Sequence, residues 1–413
     1  MRRDTRAIVA AVALASLAVA GCGRGAASNS GAAATTSGPL KVALITDTSG
    51  AVALFGQANV KGATLAVEQL NAAGGVDGRK VQLLVRDSKA TPETGVQLTR
   101  DAVLRDKVSA ILGPVSSAVA VAMTDVAKQY KTPIFFHTAN SQALTGADFQ
   151  KYAFSVVPNT TMEGRGNAIA LKDAPYKRWA VIAPDYEFGH SQSQAFVDEL
   201  RKLNPNAKVV KQVFPPLGEK DYSSYITALQ AAKPDAVYGA LFAGDLIAFT
   251  KQAKPLGFFD KTFFTSLYET DALRALGSGA PQGVRGYSRA PFFAINTPES
   301  QKFLTAYRAR FNDYPSDWAI MAYDAVKLWA QGAEKAKSAK ADDVVAALQG
   351  GTFDSTRGRI TIRAADHQAS VPVYAGTVEP DPKVGFDTWQ NVKSIPADQV
   401  WLSAAELKKA QGG

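Results

Sequence analysis

The chain has 413 residues, with 46 Lys and Arg against 37 Asp and Glu for a formal charge of +9, and a single cysteine. That length can supply cores for two lobes, and one cysteine excludes an internal disulfide. The basic residues are scattered among acids, without a Lys/Arg cluster interleaved with aromatics, so the charge reads as solvated surface rather than a nucleic-acid stripe.

Met1-Arg2-Arg3-Asp4-Thr5-Arg6 precedes an apolar run from Ala7 to Ala20. These are the basic n-region and short h-region of a secretion signal, too short to span a bilayer comfortably. Cys22 follows, then GRGAASNSGAAATTSG, small and polar, the composition of a flexible tether. Val19-Ala20-Gly21-Cys22 resembles the bacterial lipobox. The resemblance implies removal of residues 1–21, a diacylglycerol on the Cys22 sulfur, and a tether over residues 22–39. The body would then be lipid-anchored outside the cell membrane, in the periplasm or on the outer face. The plainer alternative is an ordinary signal peptide that contains a cysteine. No later apolar run approaches membrane-span length.

From Leu40 the chain alternates. LKVALIT (40–46), KVQLLVRD (80–87), VSAILG (108–113) and TPIFFH (132–137) read as strands. Between them lie helical patterns: GQANVKGATLAVEQLNAAGG, where Val60, Ala63, Leu65, Val67 and Leu70 favour one side, and TPETGVQLTRDAVLRD, opened by Thr91-Pro92. The cadence restarts after Pro158 with strands KRWAVIAP, NAKVVKQVF, PDAVYGALF and TFFTSL, separated by helices from SQSQAFVDELRKL onward. Strand and helix in alternation predict parallel sheets covered by helices. Roughly the last 125 residues lose this cadence. Helices are expected over 298–311 and 317–336, then strands RGRITIRA (357–364) and SVPVYAGTV (370–378), a tail that adds elements to both units.

Catalytic chemistry finds no support. His137, His190 and His367 stand far apart, without a second ligand at metal spacing. GHSQS (189–193) lacks the final glycine of a nucleophile elbow, and no phosphate-cradling glycine loop opens a helix. Asp342-Asp343 suit the first turn of a helix. The chain is therefore expected to need no metal or cofactor and to be no enzyme. Binding residues are expected instead at strand ends, where an open parallel sheet holds its ligands. Gly113-Pro114-Val115-Ser116-Ser117 turns from a strand into a helix start, which suits an anion, although plain capping by either serine fits equally. His137-Thr138-Ala139-Asn140-Ser141 is a second polar strand end, with an ordinary turn as the alternative.

The long segment KVALITDTSGAVALFGQANVKGATLAVEQLNAAGGVDGRKVQLLVRD, with AILGPVSS, PDYEFGHSQ and EKDYSSYITALQAAKPDAVYGALF, resembles the leucine/isoleucine/valine-binding group of type I periplasmic binding proteins. These are the solute receptors of ABC importers, and the likeness spans roughly Leu40 to Val378. It implies an α/β fold of two Rossmann-like lobes with parallel central sheets joined by a three-strand hinge. Lobe 1 would take residues 40–158 and 289–370, and lobe 2 residues 159–288 and 371–413, with the hinge near Pro158, Tyr287 to Ala290 and Ser370. It also implies a monomer that binds a small molecule and delivers it to an ABC permease, by family default a branched-chain or other apolar amino acid. By the same resemblance, Ser117, with Ser116 beside it, and Thr138-Ala139-Asn140 hold the ligand's polar end. Phe55, Tyr186, Phe188 and Phe242 pack on it, lobe-core packing being the alternative for these aromatics, and Tyr268 stands at the end of the TFFTSL strand. The family's ammonium-pairing acid belongs at Leu267-Tyr268, and here Glu269 comes one or two residues late. An amide, a short carboxylate or an aromatic acid are the alternative ligands. A sensing subunit of a membrane receptor is the alternative role, one that sequence cannot separate from transport.

Overall fold

The computed structural model describes residues 38–413; the leader reading and Cys22 lie outside the described residues. Five strands, β1 (Leu40–Thr46), β2 (Val81–Asp87), β3 (Ala110–Leu112), β4 (Ile134–Phe136) and β5 (Ala153–Ser155), form a parallel sheet in the order β2-β1-β3-β4-β5. Helices α1 (Ala53–Ala72), α2 (Pro92–Asp101) and α3 (Ser117–Gln129) connect them. β1 is buried on both faces, and so its sequence is a continuous apolar run rather than an alternating one.

The chain then crosses through Val156–Asn159 into α4 (Thr160–Ala170) and a second sheet. It runs through β6 (Arg178–Ile182), α5 (Glu187–Leu203), β7 (Lys208–Val213), α6 (Ser223–Ala231), β8 (Ala236–Gly239) and α7 (Ala243–Ala253). α8 (Phe258–Lys261), β9 (Phe263–Ser266), α9 (Thr270–Leu276) and β10 (Arg285–Ser288) complete the pass. A second crossing at Arg289–Ala290 returns to the first lobe for α10 (Pro298–Phe311), α11 (Asp317–Ala336), α12 (Ala341–Leu348) and the hairpin β11 (Thr352–Ser355) and β12 (Gly358–Thr361). The third crossing, after Ala369, leads to β13 (Val373–Glu379) and β14 (Thr388–Ile395). The second sheet has the order β14-β13-β10-β9-β8-β6-β7.

That sheet departs from the all-parallel expectation at one edge, because β13 runs antiparallel to β10 and β14 antiparallel to β13. β13 enters beside β10 on its return from the first lobe, and a hairpin then adds β14 without the crossover helix that a parallel strand needs. After β14, helix α13 (Ala404–Ala410) does not stay with the second lobe alone. Glu406 pairs with Arg165 of α4, while Leu402 and Gln411 bond to Arg363 and Ala365 beside the first sheet.

One glycine sets how closely α1 and α11 approach. A Cβ on Gly62 of α1 would stand 1.9 Å from the carbonyl oxygen of Ala319 in α11. Glycine lets these two helices touch backbone to backbone, and their N-terminal ends therefore carry Phe55 and Trp318 into a stack with centroids 3.9 Å apart. That pair forms a wall of the site.

Candidate ligand-binding cleft

The two sheets present the carboxyl ends of their strands to one another, and the loops there border a cavity. From the first lobe it is lined by Phe55, Val115, Ser117, Thr138, Asn140 and Trp318. The second lobe gives Tyr186, Phe188, Phe242 and Leu267, and the second crossing gives Arg289. Phe55 approaches Phe242 across the cleft at 5.6 Å, and Ser141 donates to Glu187 of the other lobe at 2.5 Å. The lobes are closed on each other.

The polar end is built around α3. Asp47, at the end of β1 and fully buried, accepts from the amides of Val115 and Ser116 at 3.0 Å each. Its other oxygen accepts from the Ala90 amide at 2.8 Å and from the Ser88 hydroxyl. The turn into α3 is thereby fixed. The helix itself has no side-chain cap from Ser116, and among the described residues the Ser117 hydroxyl has no hydrogen-bond partner. Ser117 thus borders the cavity at the positive end of the helix dipole, where its hydroxyl and the free N–H groups of the first turn are donors.

The remaining residues named from sequence fall in different places. Ser116 and Ala139 do not line the cavity; the Ala139 amide donates to Pro114. The Thr138 hydroxyl is taken by Asn59 and His137, and its carbonyl by Arg289, so only its surface faces inward. Asn140 spends its amide hydrogens on Pro158 at 3.0 Å and Glu163 at 2.8 Å, which leaves its carbonyl oxygen as an acceptor. Tyr268 is a correction: it is fully buried in the second lobe, with its hydroxyl 2.9 Å from that of Thr250, and does not reach the cavity. Side chains alternate at a strand end, so when Leu267 faces the cleft its neighbour faces the core.

Three residues are not visible in the sequence as site residues: Arg289, Trp318 and Glu163. Arg289 is 3% exposed, donates to Glu163 from Nε at 2.7 Å and Nη2 at 3.1 Å, and lies over the Trp318 ring at 5.2 Å. Glu269 does not substitute for the missing cleft acid. Its carboxylate caps α9, accepting from Asp271 at 2.6 Å and Ala272 at 3.1 Å.

Glu269, Asp271 and Asp317 form a buried acid cluster away from the cavity wall. Burial, with the charges of Asp271 and Asp317 beside it, raises Glu269 well above its ordinary range. Burial likewise pushes Asp271 up to about 6 from 3.8. A carboxyl raised on folding holds its proton more tightly in the folded chain, so its stabilising contribution is full below the unfolded value and is lost as pH rises through about 6. Asp271→Asn should therefore be more stable than the parent at pH 7, with the difference vanishing by about pH 4. Urea unfolding at several pH values measures it, and a pH-independent difference would refute the effect.

Among the described residues no catalytic arrangement emerges. His137 is lowered to about 3 by burial and is neutral, and the GHSQS serines lie within the first turns of α5. Among the described residues no group of three His, Cys, Asp or Glu is placed to hold a metal, and no helix is long and apolar enough to cross a membrane.

Two lobes of mainly parallel sheet meeting over a closed cavity at their strand ends define a bilobal solute receptor. Residues 39–383 match the periplasmic binding protein family, and the chain belongs to it. It is 27% identical over 327 residues to the leucine-, isoleucine-, valine-, threonine- and alanine-binding protein of Pseudomonas aeruginosa, covering 78% of this chain and 85% of that one. A periplasmic binding protein from Burkholderia mallei superposes with a TM-score of 0.82 at 23% identity, covering 90% of this chain and 98% of the other. A solute-binding protein of an ABC transporter from Rhodopseudomonas palustris, in complex with benzoate, gives a TM-score of 0.78 at 22% identity over 87% and 97%. At these identities the structures share the fold. The chain is thus a solute-binding protein of that family rather than an enzyme.

Proposed function

We propose that the chain is the extracytoplasmic receptor of an ABC importer, tethered to the membrane by lipid on Cys22, and that its lobes close on a small carboxylate. The observation that carries the ligand class is the uncapped α3 N-terminus, with Ser117 at its head, opening into the interlobe cavity. The amino acids of the Pseudomonas relative and the benzoate of the Rhodopseudomonas protein have a carboxylate in common, which fits that end of the cleft.

Ser117→Ala tests this directly. Removing one hydrogen bond to a charged group costs about 1.5–3 kcal/mol, roughly ten- to hundredfold in affinity. Ser117 makes no cap bond, so the melting temperature of the free protein should not change. Calorimetric titration with full affinity retained would move the carboxylate elsewhere. The anchor has its own test: detergent-phase partitioning of the expressed protein should be lost in Cys22→Ser, and an unchanged distribution would refute lipidation.

A further inference from the structure

The ligand class narrows with the other groups that line the cavity. Its walls carry the rings of Phe55, Tyr186, Phe188, Phe242 and Trp318, and among the described residues no Asp or Glu lines it. Among the described residues that line it, Arg289 is the one charged side chain, and it is cationic. We infer that the cleft selects a single-ring aromatic monocarboxylate over α-amino acids, with Arg289 as the specificity-determining residue; this rests on the proposed carboxylate site at α3.

A guanidinium carries five N–H donors. Glu163 takes two, at 2.7 and 3.1 Å, and the Thr138 carbonyl takes one. Among the described residues no acceptor meets the remaining N–H on each terminal nitrogen, in a side chain that is 3% exposed and borders the cavity. Most buried donors are paired, and a pair left open where the side chain borders a cavity points to an acceptor brought by the ligand. The Ser117 hydroxyl and the α3 amides supply further donors for the same charge. These are donors to an anion.

An ammonium meets the opposite situation. Glu163 is occupied by Arg289 and by the Asn140 amide at 2.8 Å, and it does not line the cavity. Glu269 is bound to backbone amides of α9. A zwitterionic amino acid would place its cation beside the Arg289 guanidinium with only neutral oxygens to receive it, and a buried unpaired charge is strongly disfavoured. The aromatic walls could by themselves attract a quaternary ammonium. Here Arg289 already occupies that role, 5.2 Å over Trp318 and 6.0 Å over Phe188.

Shape selects the ring. Phe55 stacks on Trp318 at 3.9 Å, and Phe188 meets Phe242 edge to face at 5.4 Å, so the cleft offers flat faces and an edge to a planar guest. Phe55 and Phe242 approach across the cleft at 5.6 Å, a narrow opening that favours one ring over two. The free Asn140 oxygen can accept from a ring hydroxyl.

The test is calorimetric titration of the purified chain with benzoate, benzamide, L-leucine and choline. Benzoate should bind at least a hundredfold tighter than the other three. Two variants assign the effect to Arg289. Glu163→Gln leaves the guanidinium charge uncompensated and should raise benzoate affinity several-fold, an increase that a merely structural pair would not produce. The double variant Arg289→Gln/Glu163→Gln keeps a neutral hydrogen-bonding pair and should lose at least tenfold. Tighter binding of leucine or choline overturns the inference, leucine leaving the carboxylate receptor intact and choline removing it. Binding of none of the four, or unchanged affinity in both variants, also overturns it, and in the former case Ser117→Ala with a wider carboxylate panel decides whether the receptor reading falls too.

Discussion

Asp324→Ala should destabilise the first lobe by about 3–5 kcal/mol, because it leaves a buried guanidinium without its counter-charge. Asp324 of α11 and Arg357 of the β11–β12 turn are 3.1 Å apart with side chains essentially free of solvent. The same carboxylate accepts from the Thr356 amide and hydroxyl, both at 2.9 Å, and Arg357 reaches on to the Val156 carbonyl at 2.9 Å, in the first crossing between lobes. The pair thus ties a long helix and a hairpin to the hinge. Burial raises Asp324 against the opposing pull of Arg357, a sign of how much desolvation the pair already bears. For that reason Asp324→Leu/Arg357→Met should cost far less than Asp324→Ala alone. Denaturant titrations of the parent, the single and the double variants give the coupling directly. Additive losses would show that the two side chains act independently and that the pair carries no coupling.

The parts of the fold legible in the sequence are those in which burial writes a period. LKVALIT is buried on both faces and reads as a continuous apolar strand, and the α1 pattern follows its packed side. β10 has only four residues, RGYS, and carries no pattern of its own. β14 lies at the sheet edge with most of its residues exposed, so its alternation never appears as hydrophobicity. The site shows the same division. Ser117, Phe188 and Phe242 sit where a strand gives way to a helix, a position that local sequence announces. Arg289 in SRAPFF is locally an ordinary surface arginine, and its partner Glu163 is 126 residues away. Trp318 heads a helix whose apolar face reads as core. The family resemblance implies an amino-acid site, and the ammonium half of that site has no counterpart in the cavity walls.

Asp47 carries the other large effect, and the sequence does not single it out, because one aspartate after a strand is unremarkable in LITDTSG. In the structure it accepts from Ser88, Ala90, Val115 and Ser116, joining the loops after β1, β2 and β3 at one carboxylate. Asp47→Ala orphans those buried donors. Hydrogen bonds to a charged group contribute about 1.5–3 kcal/mol each and do not add fully, so a loss of at least about 3 kcal/mol is expected. Ligand affinity should fall as well, since the Val115 and Ser116 amides are what set the direction of α3 and hence of Ser117. Asn is the discriminating replacement. It has nearly the shape of Asp, but its NH₂ would face amide N–H groups wherever it turned, because both carboxylate oxygens accept from backbone. Asp47→Asn should therefore be nearly as unstable as Asp47→Ala in denaturant titration and should bind the ligand at least tenfold more weakly. A stable, full-affinity Asp47→Asn would mean that the α3 N-terminus holds its position without this carboxylate.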